Sequence, residues 1–370
     1  MRVLQLIPNL LVGGAEKMVV GLSCGLASRR IEVHVAIIGS SIAPEFAATL
    51  AKSNIPVTCL GKPNGFHWRA ARLLSRLITE IRPDVVHTHL GAIAYCLPAT
   101  VLNRAPRLVH SFHSLADWEA SGVHALIRRL ALLTGVTPVG VGPEVSASVR
   151  ERYRLERCET IANGIDVDTF VDARRRRSAW RSGIGLSNDA LVLTSVGRLA
   201  PEKNHSVLVD GFAELLKQGI DAVLLLIGDG PNRSLLKQQI DAASLQKRIL
   251  LLGNRSDVSL ALGASDIFVL PSLVEGTPLA LQEAMAAGCA VVASSVGGIP
   301  ALLGHGKYGF LLPAHSSVAE VASTISTLAF DEARRRALAQ DAQAFAKAHF
   351  DQHRMVAQYT RLYGLEPVNE

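Results

Sequence analysis

The chain has 370 residues, of which 49% are hydrophobic, 19% are charged and only 5% are aromatic. These values fit a globular protein with room for two domains, and so few aromatic side chains argue against a stacking platform for single-stranded nucleic acid. The formal net charge of +6 at pH 7 favours an anionic partner, but nucleotides, acidic lipid surfaces and nucleic acids all carry negative charge.

Five cysteines are scattered along the chain without a Cys-x-x-Cys pair, which is typical of reduced, buried thiols in a cytosolic compartment. The apolar run at the start is broken by Pro8 and is too short for a signal peptide. No stretch approaches the roughly 18 uninterrupted apolar residues of a membrane-spanning helix. We therefore expect a cytoplasmic protein with no contact to a membrane beyond a peripheral one.

Short apolar runs alternate with helical patterns throughout, which predicts parallel sheets with crossover helices. Strand-like runs recur from "RVLQLIP" to "TPVGVG". The same alternation of strand-like and helical segments begins again at "LVLTSVGRL" and continues to "AVVASS". The segment between them is polar, basic and weakly periodic. We predict an α/β fold of two doubly wound, Rossmann-like domains, residues 1–166 and 191–347, joined by a linker over 167–190. The helical tail, 348–370, is expected to run back to the first domain.

Unusual residues follow the predicted strands in both halves, at the edge where ligands bind in open parallel sheets. A ligand held in a cleft between two such edges is the simplest geometry that these positions allow. The residues are Gly13, Gly14, His87, His89, His113, Arg198, Gly228, Asp229, Gly230, Arg255 and Glu275.

The stretch "GRLAPEKN" places two cations, Arg198 and Lys203, in a loop between a predicted strand and a helix. Two cations at this spacing can converge on one diphosphate, and each charge-assisted hydrogen bond contributes about 1.5–3 kcal/mol. An ordinary surface pair is the alternative, because basic residues are common in loops.

The stretch "PSLVEGTPLALQEAMAAG" predicts a helix with Thr277 as N-cap, Pro278 at the first helical position and Gly288 just past the end. Exposed amides at a helix start attract anions, so the flanking carboxylates are expected to bind neutral hydroxyls instead. Glu283, roughly 7 Å along the helix, is placed to accept two hydrogen bonds from a ribose diol, and Glu275 to accept them from a sugar. A solvent-facing Glu283 is the alternative, and its apolar neighbours disfavour it.

Taken together, these motifs resemble those of a known family. "EGTPLALQE" matches the Glu-x7-Glu pattern and "GRLAPEK" the Arg-x4-Lys pattern of the retaining glycosyltransferases of family 4, the group 1 glycosyl transferases with the GT-B fold. "PNLLVGGAEK", "VVHTHL", "NGID" and "SVGGIP" stand in the same order as in that family. The likeness covers essentially the whole chain, and it implies two Rossmann-like domains that face each other across a cleft.

The resemblance implies a role for each matching residue. Arg198 and Lys203 would bind the diphosphate and stabilise the leaving group, Glu275 would hold donor-sugar hydroxyls, and Glu283 would bind ribose. His113 would reach the donor sugar, so that the catalytic residues would be Arg198, Lys203, Glu275 and His113. The other donor-binding residues would be Gly13, Gly14, Arg255, Gly276, Thr277, Pro278 and Leu279, with Arg255 lying beside the base through main-chain contacts.

The reaction implied by the resemblance moves a sugar from a nucleotide diphosphate sugar to a glycan or lipid-linked acceptor, with retention of anomeric configuration. The departing phosphate oxygen would take the acceptor proton on the same face, and no metal or other cofactor would be needed. Cell-surface polysaccharide biosynthesis, of lipopolysaccharide or exopolysaccharide, is the expected setting, at the inner face of the plasma membrane and without nucleic acid. The alternatives are a sugar-nucleotide epimerase or hydrolase of the same fold, or a non-catalytic carbohydrate-binding protein.

Several other sequence features allow more than one interpretation. His87, His89, His110 and His113 resemble a metal cluster, but no zinc-site spacing is present and strand-end histidines with hydrogen bonds are favoured. No glycine-rich stretch completes the Gly-x-Gly-x-x-Gly pattern of a nicotinamide site. The basic run 173–181 is expected to be a solvated linker face, with contact to an anionic membrane as the alternative. Many family members carry a glutamate where this chain has Ala301, so its role is not transferred.

Overall fold

The computed structural model describes residues 1–61, 68–96, 107–119 and 122–364. The described chain forms two compact units, each built on one parallel sheet. The N-terminal unit contains Met1–Gly164 and residues from Gln352 onward, and the C-terminal unit is Ile165–Asp351. The predicted α/β class with two doubly wound parallel sheets is confirmed.

The N-terminal unit carries a seven-stranded sheet in the order β3-β2-β1-β4-β5-β6-β7. Its strands are β1 (Arg2–Ile7), β2 (Glu32–Ile37), β3 (Val57–Cys59), β4 (Val85–His89), β5 (Arg107–Phe112), β6 (Thr137–Gly140) and β7 (Glu159–Thr160). Its helices up to that point are α1 (Gly14–Ser28), α2 (Pro44–Lys52), α3 (Trp68–Ile81), α4 (Ala116–Glu119), α5 (Gly122–Leu133) and α6 (Pro143–Tyr153).

Both faces of this sheet are covered, which explains why its strands read as continuous apolar runs. Leu4 and Leu6 of β1 pack into one hydrophobic cluster, while Val3 and Ile7 pack into another on the opposite face. Successive side chains of a strand point to opposite faces, so a strand with helices on both sides has no polar face. The periodicity of such a strand is therefore hidden, and only its length and flanking turns identify it.

The C-terminal unit carries a six-stranded sheet in the order β10-β9-β8-β11-β12-β13. Its strands are β8 (Leu191–Val196), β9 (Ala222–Ile227), β10 (Ile249–Gly253), β11 (Ile267–Leu270), β12 (Ala290–Ser294) and β13 (Phe310–Leu312). Its helices are α7 (Val167–Ala173), α8 (Arg177–Gly183), α9 (His205–Lys217), α10 (Arg233–Ala242), α11 (Val258–Gly263), α12 (Leu279–Ala286), α13 (Ile299–Leu302), α14 (Val318–Phe330) and α15 (Glu332–His349).

The linker expected over 167–190 is instead an integral part of the C-terminal unit, because it folds into α7 and α8. Phe170 of α7 and Trp180 of α8 are buried in hydrophobic clusters of that unit. The basic run 173–181 is a solvated face only in part, because Arg175 and Arg176 are exposed whereas Arg177 and Arg181 form ion pairs with Asp266. The division between the units falls between residues 164 and 165.

Arg181 explains why this segment looked like a linker in the sequence. Its side chain is fully buried, and its guanidinium lies 2.9 Å from Asp266 Oδ2. It also donates hydrogen bonds to the carbonyl oxygens of Asn188, Ala190 and Ala264. A buried arginine of this kind needs partners that are distant in sequence, so no local pattern distinguishes it from an exposed one.

The last helix, α16 (Gln352–Leu362), belongs to the N-terminal unit, as the tail was expected to do. Val356 packs so closely on α1 that a β-carbon at Gly25 would overlap its Cγ2 methyl group. Tyr359 and Tyr363 are fully or almost fully buried in the same cluster. The first part of the predicted tail, residues 348–351, remains with the C-terminal unit, and residues 365–370 lie outside the described chain.

All five cysteines are free thiols, as expected, but their burial differs. Cys96, Cys158 and Cys289 are buried, whereas Cys24 is half-buried and Cys59 is exposed. Burial raises the pKa of the Cys289 thiol to about 12. Among the described helices, none has the length and apolar character that crossing a membrane requires.

Four histidines of the described chain are buried: His87, His89 and His110 in the N-terminal unit and His205 in the C-terminal unit. Burial lowers the pKa of each, because a low-dielectric interior disfavours the imidazolium. For His205 the pKa falls to about 4, with the nearby Lys203 as the second cause. These side chains are therefore neutral in the folded protein at pH 7.

We expect Arg181→Ala to lower the free energy of unfolding by about 3 kcal/mol, the lower end for breaking a buried ion pair, because Arg177 still compensates Asp266. Urea denaturation followed by circular dichroism measures the change. Arg175→Ala is the control, because its ion pair with Asp172 is solvent-exposed and should contribute no more than about 0.5 kcal/mol. Equal losses in the two variants would contradict the structural role of Arg181.

We expect His205 to destabilise the folded state as the pH falls. The unfolded side chain binds a proton below about pH 6.5 while the folded one stays neutral to about pH 4, so stability is lost across that window. The unfolding free energy of His205→Leu, relative to that of wild type, should therefore rise by about 2 kcal/mol as the pH falls from 7 to 5. Urea titrations of both proteins at both pH values measure the unfolding free energies. A difference between the two proteins that does not change with pH would refute the prediction.

Candidate active site

The candidate site lies at the carboxyl edge of the C-terminal sheet, where the direction of strand order reverses. β8 is the central neighbour of both β9 and β11, so the loops that leave β8 and β11 diverge to opposite sides. Open parallel sheets bind ligands at such a reversal, because the diverging loops leave a crevice between them. Arg198 and Lys203 follow β8, and Glu275 follows β11.

The loop after β8 is held rigidly against the loop after β9. The amide of Leu199 donates to the carbonyl of Asp229 at 3.0 Å, and the amide of Asn232 donates to the carbonyl of Leu199 at 2.8 Å. Gly228 has φ +131°, and a β-carbon there would overlap the carbonyl oxygen of Gly197. Only glycine satisfies both conditions, which gives this residue of "IGDGP" a structural reason.

The loop after β11 is held from both sides in the same manner. The amide of Leu273 donates to the carbonyl of Glu202 at 2.8 Å, and the amide of Gly298 donates to the carbonyl of Gly276 at 2.9 Å. Gly297 has φ +53°, and a β-carbon there would overlap the carbonyl oxygen of Glu275. The glycine pair of "SVGGIP" therefore serves to clamp the Glu275 loop.

Lys203 and Glu275 form an ion pair across the reversal. Lys203 Nζ lies 2.5 Å from Glu275 Oε1, and Ser272 Oγ donates to the same oxygen at 2.7 Å. The Glu275 side chain is 7% exposed and that of Lys203 is 21% exposed, so the pair lies at the bottom of the loops with one side open to solvent. The ammonium group retains further donors and the carboxylate retains a second oxygen for a ligand.

Arg198 differs from Lys203 in having no such partner. Its residue is exposed, and its guanidinium makes no ion pair or hydrogen bond within the described ranges. A guanidinium presents five N–H donors in a planar fork that suits phosphate oxygens. The two cations predicted from the sequence are thus on the same edge of the sheet, one paired and one open.

The helix that follows Glu275 begins one residue later than predicted. Pro278 is the N-cap of α12, with φ −69° and ψ 117°, and no side chain caps the helix. The prediction of Thr277 as N-cap is therefore wrong. The hydroxyl of Thr277 is buried and has no hydrogen-bond partner within the described part of the chain. The first amides of α12 consequently lack a side-chain acceptor and are suited to an anion.

Glu283 lies in the second turn of α12 and is 2% exposed, which excludes the solvent-facing alternative. Gln282 beside it is fully buried, and neither end of its amide has a partner among the described residues. Gly288 follows the helix with φ +75°, in the place predicted for it. Two polar side chains are thus buried in the helix whose start carries uncapped amides.

The side chain of Arg255 is bound to protein, not presented to a ligand. Its Nε and Nη2 atoms lie 2.6 Å and 2.8 Å from the two carboxylate oxygens of Asp257. Trp180 Nε1 donates to the same carboxylate at 2.8 Å, and the guanidinium lies over the Trp180 ring. The pairing with Asp257 is compatible with a main-chain contact to a base near Arg255, and that contact stays a prediction.

In the N-terminal unit, Gly13 and Gly14 begin α1 directly after β1. Gly13 is the N-cap with φ −167°, an extended conformation open to any residue, and no side chain caps this helix. A β-carbon at Gly13 would overlap the half-buried carboxylate of Glu16. Because Glu16 is flexible and φ is extended, the structure of the protein alone does not require glycine at position 13.

His113 follows β5 and is held by three neighbours. Its Nε2 lies 3.1 Å from His89 Nδ1, and its backbone amide donates to Glu119 Oε1, which also accepts from the amide of Ser114. Arg128 forms a buried ion pair with Glu119 at 2.9 Å. Burial, aided by Arg128, lowers the pKa of His113 to about 4.

The histidines of the N-terminal unit bind one another and nearby hydroxyls. His87 lies 2.6 Å from Tyr363 Oη and 2.8 Å from Ser111 Oγ, and His110 lies 2.8 Å from Thr88 Oγ1. Among the residues that the structure describes, no group of three or more His, Cys, Asp or Glu side chains is arranged to hold a metal ion. The arrangement is the hydrogen-bonded one that the sequence favoured.

His205 is a site residue that the sequence analysis missed. It is the first residue of α9, two positions after Lys203, and neither of its ring nitrogens has a hydrogen-bond partner in the described chain. A histidine directly after "EK" at a predicted helix start was the available signal. The sequence does not distinguish it from an ordinary helix residue, because its burial depends on tertiary packing.

Two sequence profiles match this chain. Residues 12–169 match "Glycosyltransferase Family 4", and residues 176–345 match "Glycosyl transferases group 1". The matched segments follow one another and together include most of the chain, with all the proposed donor-site residues of the C-terminal unit inside the second.

Two characterised relatives illustrate the similarity. The UDP-Gal:alpha-D-GlcNAc-diphosphoundecaprenol alpha-1,3-galactosyltransferase of Escherichia coli is 31% identical over 65% of this chain and 65% of its own length. The D-inositol 3-phosphate glycosyltransferase of Corynebacterium glutamicum (strain R) is 30% identical over 79% of this chain and 74% of its own.

The fold is also that of solved glycosyltransferase structures. The crystal structure of Anabaena HepE in complex with UDP-glucose superposes with a TM-score of 0.86, covers 98% of this chain and 99% of its own, and is 23% identical. At that identity the likeness concerns the fold alone. With two profiles and these relatives in agreement, the chain belongs to the group 1, family 4 glycosyltransferases and has the GT-B fold.

Proposed function

We propose that this glycosyltransferase uses a uridine diphosphate sugar as donor and transfers the sugar, with retention of configuration, to a glycan or lipid-linked acceptor. The observation that carries the proposal is the open Arg198 guanidinium beside the Lys203–Glu275 pair at the strand-order reversal. The name of the HepE structure supports a uridine nucleotide, and that of the E. coli relative supports a lipid-linked acceptor.

The diphosphate is the first ligand group that this arrangement fits. Arg198 supplies a free guanidinium, Lys203 retains donors beyond its bond to Glu275, and the start of α12 supplies uncapped amides. Charge-assisted hydrogen bonds from such groups are about twice as strong as neutral ones. We infer that these three elements bind the diphosphate and stabilise the negative charge that develops on it when the sugar leaves.

The two glutamates fit the neutral groups on either side of the diphosphate. Glu275 is fixed by Lys203 and Ser272, so that its free carboxylate oxygen has a defined direction for a sugar hydroxyl. Glu283 is almost completely buried, and a buried carboxylate suits a ribose diol, which donates two hydrogen bonds. His113 keeps the role implied by the family resemblance, a hydrogen bond to the donor sugar.

The proposed chemistry needs neither a metal ion nor a general base from the protein. Glu275 accepts from Lys203 Nζ and Ser272 Oγ, so the protein holds this carboxylate as a positioned hydrogen-bond acceptor. We infer that the departing phosphate oxygen takes the acceptor proton on the same face of the sugar. Transition-state stabilisation then comes mainly from Arg198, Lys203 and the helix amides, and removing one such donor typically costs about 10²–10³ in turnover.

For cellular setting, we propose cell-surface polysaccharide assembly in the cytoplasm, at the inner face of the plasma membrane. The basic run 173–181, for which membrane contact was the alternative, does not carry this proposal, because two of its arginines, Arg177 and Arg181, are paired with Asp266. Helix α5 carries it instead. Val123, Leu126, Leu130 and Leu133, here called the apolar stripe, recur at helical spacing on one face and are 51–70% exposed.

Exposed apolar side chains in line along a helix mark a docking surface. The buried side of α5 carries Arg128, and Arg129 and His124 flank the apolar stripe on the exposed side. A stripe of leucines and valine beside a cation fits an anionic lipid surface, where a helix lies with its apolar face among the acyl chains. The net charge of +6 adds attraction to the same surface.

We expect a true donor to raise the melting temperature by several degrees at a concentration one hundredfold above its Kd. Arg198→Ala and Lys203→Ala should lose that shift, because each removes a diphosphate contact. Lys237→Ala is the charge-matched control, since Lys237 is exposed in the same unit, and Ala301→Glu should also retain the shift. A panel of nucleotide sugars, read by thermal shift, measures the effect.

Full retention of the shift in both cation variants would overturn the diphosphate assignment. Release of nucleoside diphosphate with and without a lipid-linked acceptor extract then separates the remaining alternatives. Acceptor-dependent release supports transfer. Equal release with and without acceptor indicates a hydrolase, an isomerised donor sugar indicates an epimerase, and no release at all indicates a non-catalytic binding protein.

We expect Leu126→Glu combined with Leu130→Glu to weaken binding to vesicles containing anionic phospholipid by about tenfold or more, because two exposed apolar side chains are lost. Co-sedimentation with vesicles measures binding. Leu235→Glu, an equally exposed leucine in the C-terminal unit, is the control. If the double variant instead abolishes a concentration-dependent dimer and leaves vesicle binding unchanged, the stripe binds a second copy and the membrane proposal is wrong.

A further inference from the structure

A chain of buried polar groups runs from His113 into the sheet core of the N-terminal unit. His113 Nε2 lies 3.1 Å from His89 Nδ1, and His89 Nε2 lies 2.8 Å from Gln5 Oε1. Gln5, in β1, and His89, at the end of β4, are both fully buried. Nothing in the reaction proposed above uses either residue, although both lie in the sheet core directly behind His113.

The direction of these hydrogen bonds follows from the side-chain chemistry. An amide oxygen only accepts, so His89 Nε2 carries a hydrogen and donates it to Gln5 Oε1. A neutral imidazole has one N–H, and burial keeps His89 neutral by lowering its pKa well below 6.5. His89 Nδ1 is therefore an acceptor, and the hydrogen between the two rings belongs to His113 Nε2.

The orientation of the Gln5 amide decides this direction, because its oxygen is the atom that faces His89 Nε2. The amide nitrogen of Gln5 is buried and makes no hydrogen bond within the described chain. A second set of hydrogen bonds begins at Tyr363, whose Oη lies 2.6 Å from His87 Nδ1.

The Tyr363 hydroxyl belongs to a separate set of hydrogen bonds. His87 lies 2.6 Å from Tyr363 Oη and 2.8 Å from Ser111 Oγ, and Ser111 Oγ lies 2.8 Å from Tyr359 Oη. Within the described residues this set makes no hydrogen bond to Gln5, so the direction at His113 is set by Gln5 and His89.

The consequence for His113 is a defined chemical face. Its Nε2–H is engaged by His89, and its Nδ1 has no partner within the described residues, while the residue itself is only half-buried. In this tautomer Nδ1 is a lone-pair acceptor. A hydroxyl can donate to it, whereas a carboxylate, which has only lone pairs, cannot.

We propose that Gln5 and His89 are positioning residues that hold His113 in its Nε2–H tautomer, so that the site selects a sugar hydroxyl and rejects a uronic acid carboxylate at that position. This inference rests on the proposed function, because it assumes that the group meeting His113 belongs to the donor sugar. It predicts that the donor is a neutral hexose or N-acetylhexosamine nucleotide, not a nucleotide uronate.

The first test reads the tautomers directly and requires no substrate. Long-range ¹H–¹⁵N correlation spectra of the histidine-labelled full chain should show His113 and His89 as Nε2–H tautomers at pH 7. Gln5→Met, which keeps the size of the side chain and removes its hydrogen bonds, should convert His113 to a mixture of tautomers. Gln352→Met, whose amide binds the Gly21 carbonyl in the same unit, should leave both spectra unchanged.

The inference would be overturned if His113 were the Nδ1–H tautomer in the wild-type chain. It would also be overturned if the tautomer of His113 were the same in a folded Gln5→Met variant as in wild type. Should Gln5→Met fail to fold, as shown by circular dichroism, His89→Gln provides the second variant. A glutamine amide can still accept from the His113 Nε2–H, so His113 should then keep its tautomer. Loss of that tautomer in folded His89→Gln would equally count against the inference.

The second test uses donor selectivity. The wild-type chain should bind UDP-glucose more tightly than UDP-glucuronate, and Gln5→Met should reduce this ratio by about tenfold, the equivalent of one hydrogen bond, with little change in UDP affinity. If Gln5→Met binds both nucleotide sugars with the same affinity ratio as wild type, the inference about His113 is overturned and the proposed function is not. Failure of wild type to bind any uridine nucleotide would instead overturn the proposed function, and the tautomer spectra would still stand as a separate result.

Discussion

The structure of the candidate site depends on a close approach of backbone to backbone at the point where the strand order of the C-terminal sheet reverses. The loop after β9 touches the loop after β8 at Gly228, and the "SVGGIP" loop touches the loop after β11 at Gly297. A β-carbon at either position would overlap a carbonyl oxygen. Because both contacts have positive φ on the glycine, no other residue restores them at low cost.

These contacts explain why the Lys203–Glu275 pair is precise although its members are 72 positions apart in the chain. Each partner is carried by a loop that is hydrogen-bonded to its neighbours on both sides. In the donor site that we propose, a diphosphate would meet cations and amides that are already in place, and little of the binding energy would be needed to order them. The pair also keeps a nearly buried carboxylate compatible with an anionic ligand nearby, because its charge is already compensated.

The sequence predicted the strands and the motif loops well because buried parallel strands are long apolar runs with glycine-rich ends. It failed where a polar residue is buried by distant partners. Arg181 looked like part of a solvated basic run, yet it is fully enclosed by carbonyl oxygens and Asp266. Thr277 has the composition of an N-cap, but Pro278 occupies that position. The buried Gln5–His89–His113 chain was equally invisible, because three strands contribute to it.

The return of α16 to the first unit has a consequence for how the chain is made. A ribosome adds Tyr359 and Tyr363 after the whole second unit, so the buried groups of His87 and Ser111 have no phenol partners until the second unit has been translated. The second unit can complete itself earlier, since Ile165 and Phe350, close to its two ends, are joined by a 2.8 Å backbone hydrogen bond. The N-terminal unit is thus translated first but completes its buried core last.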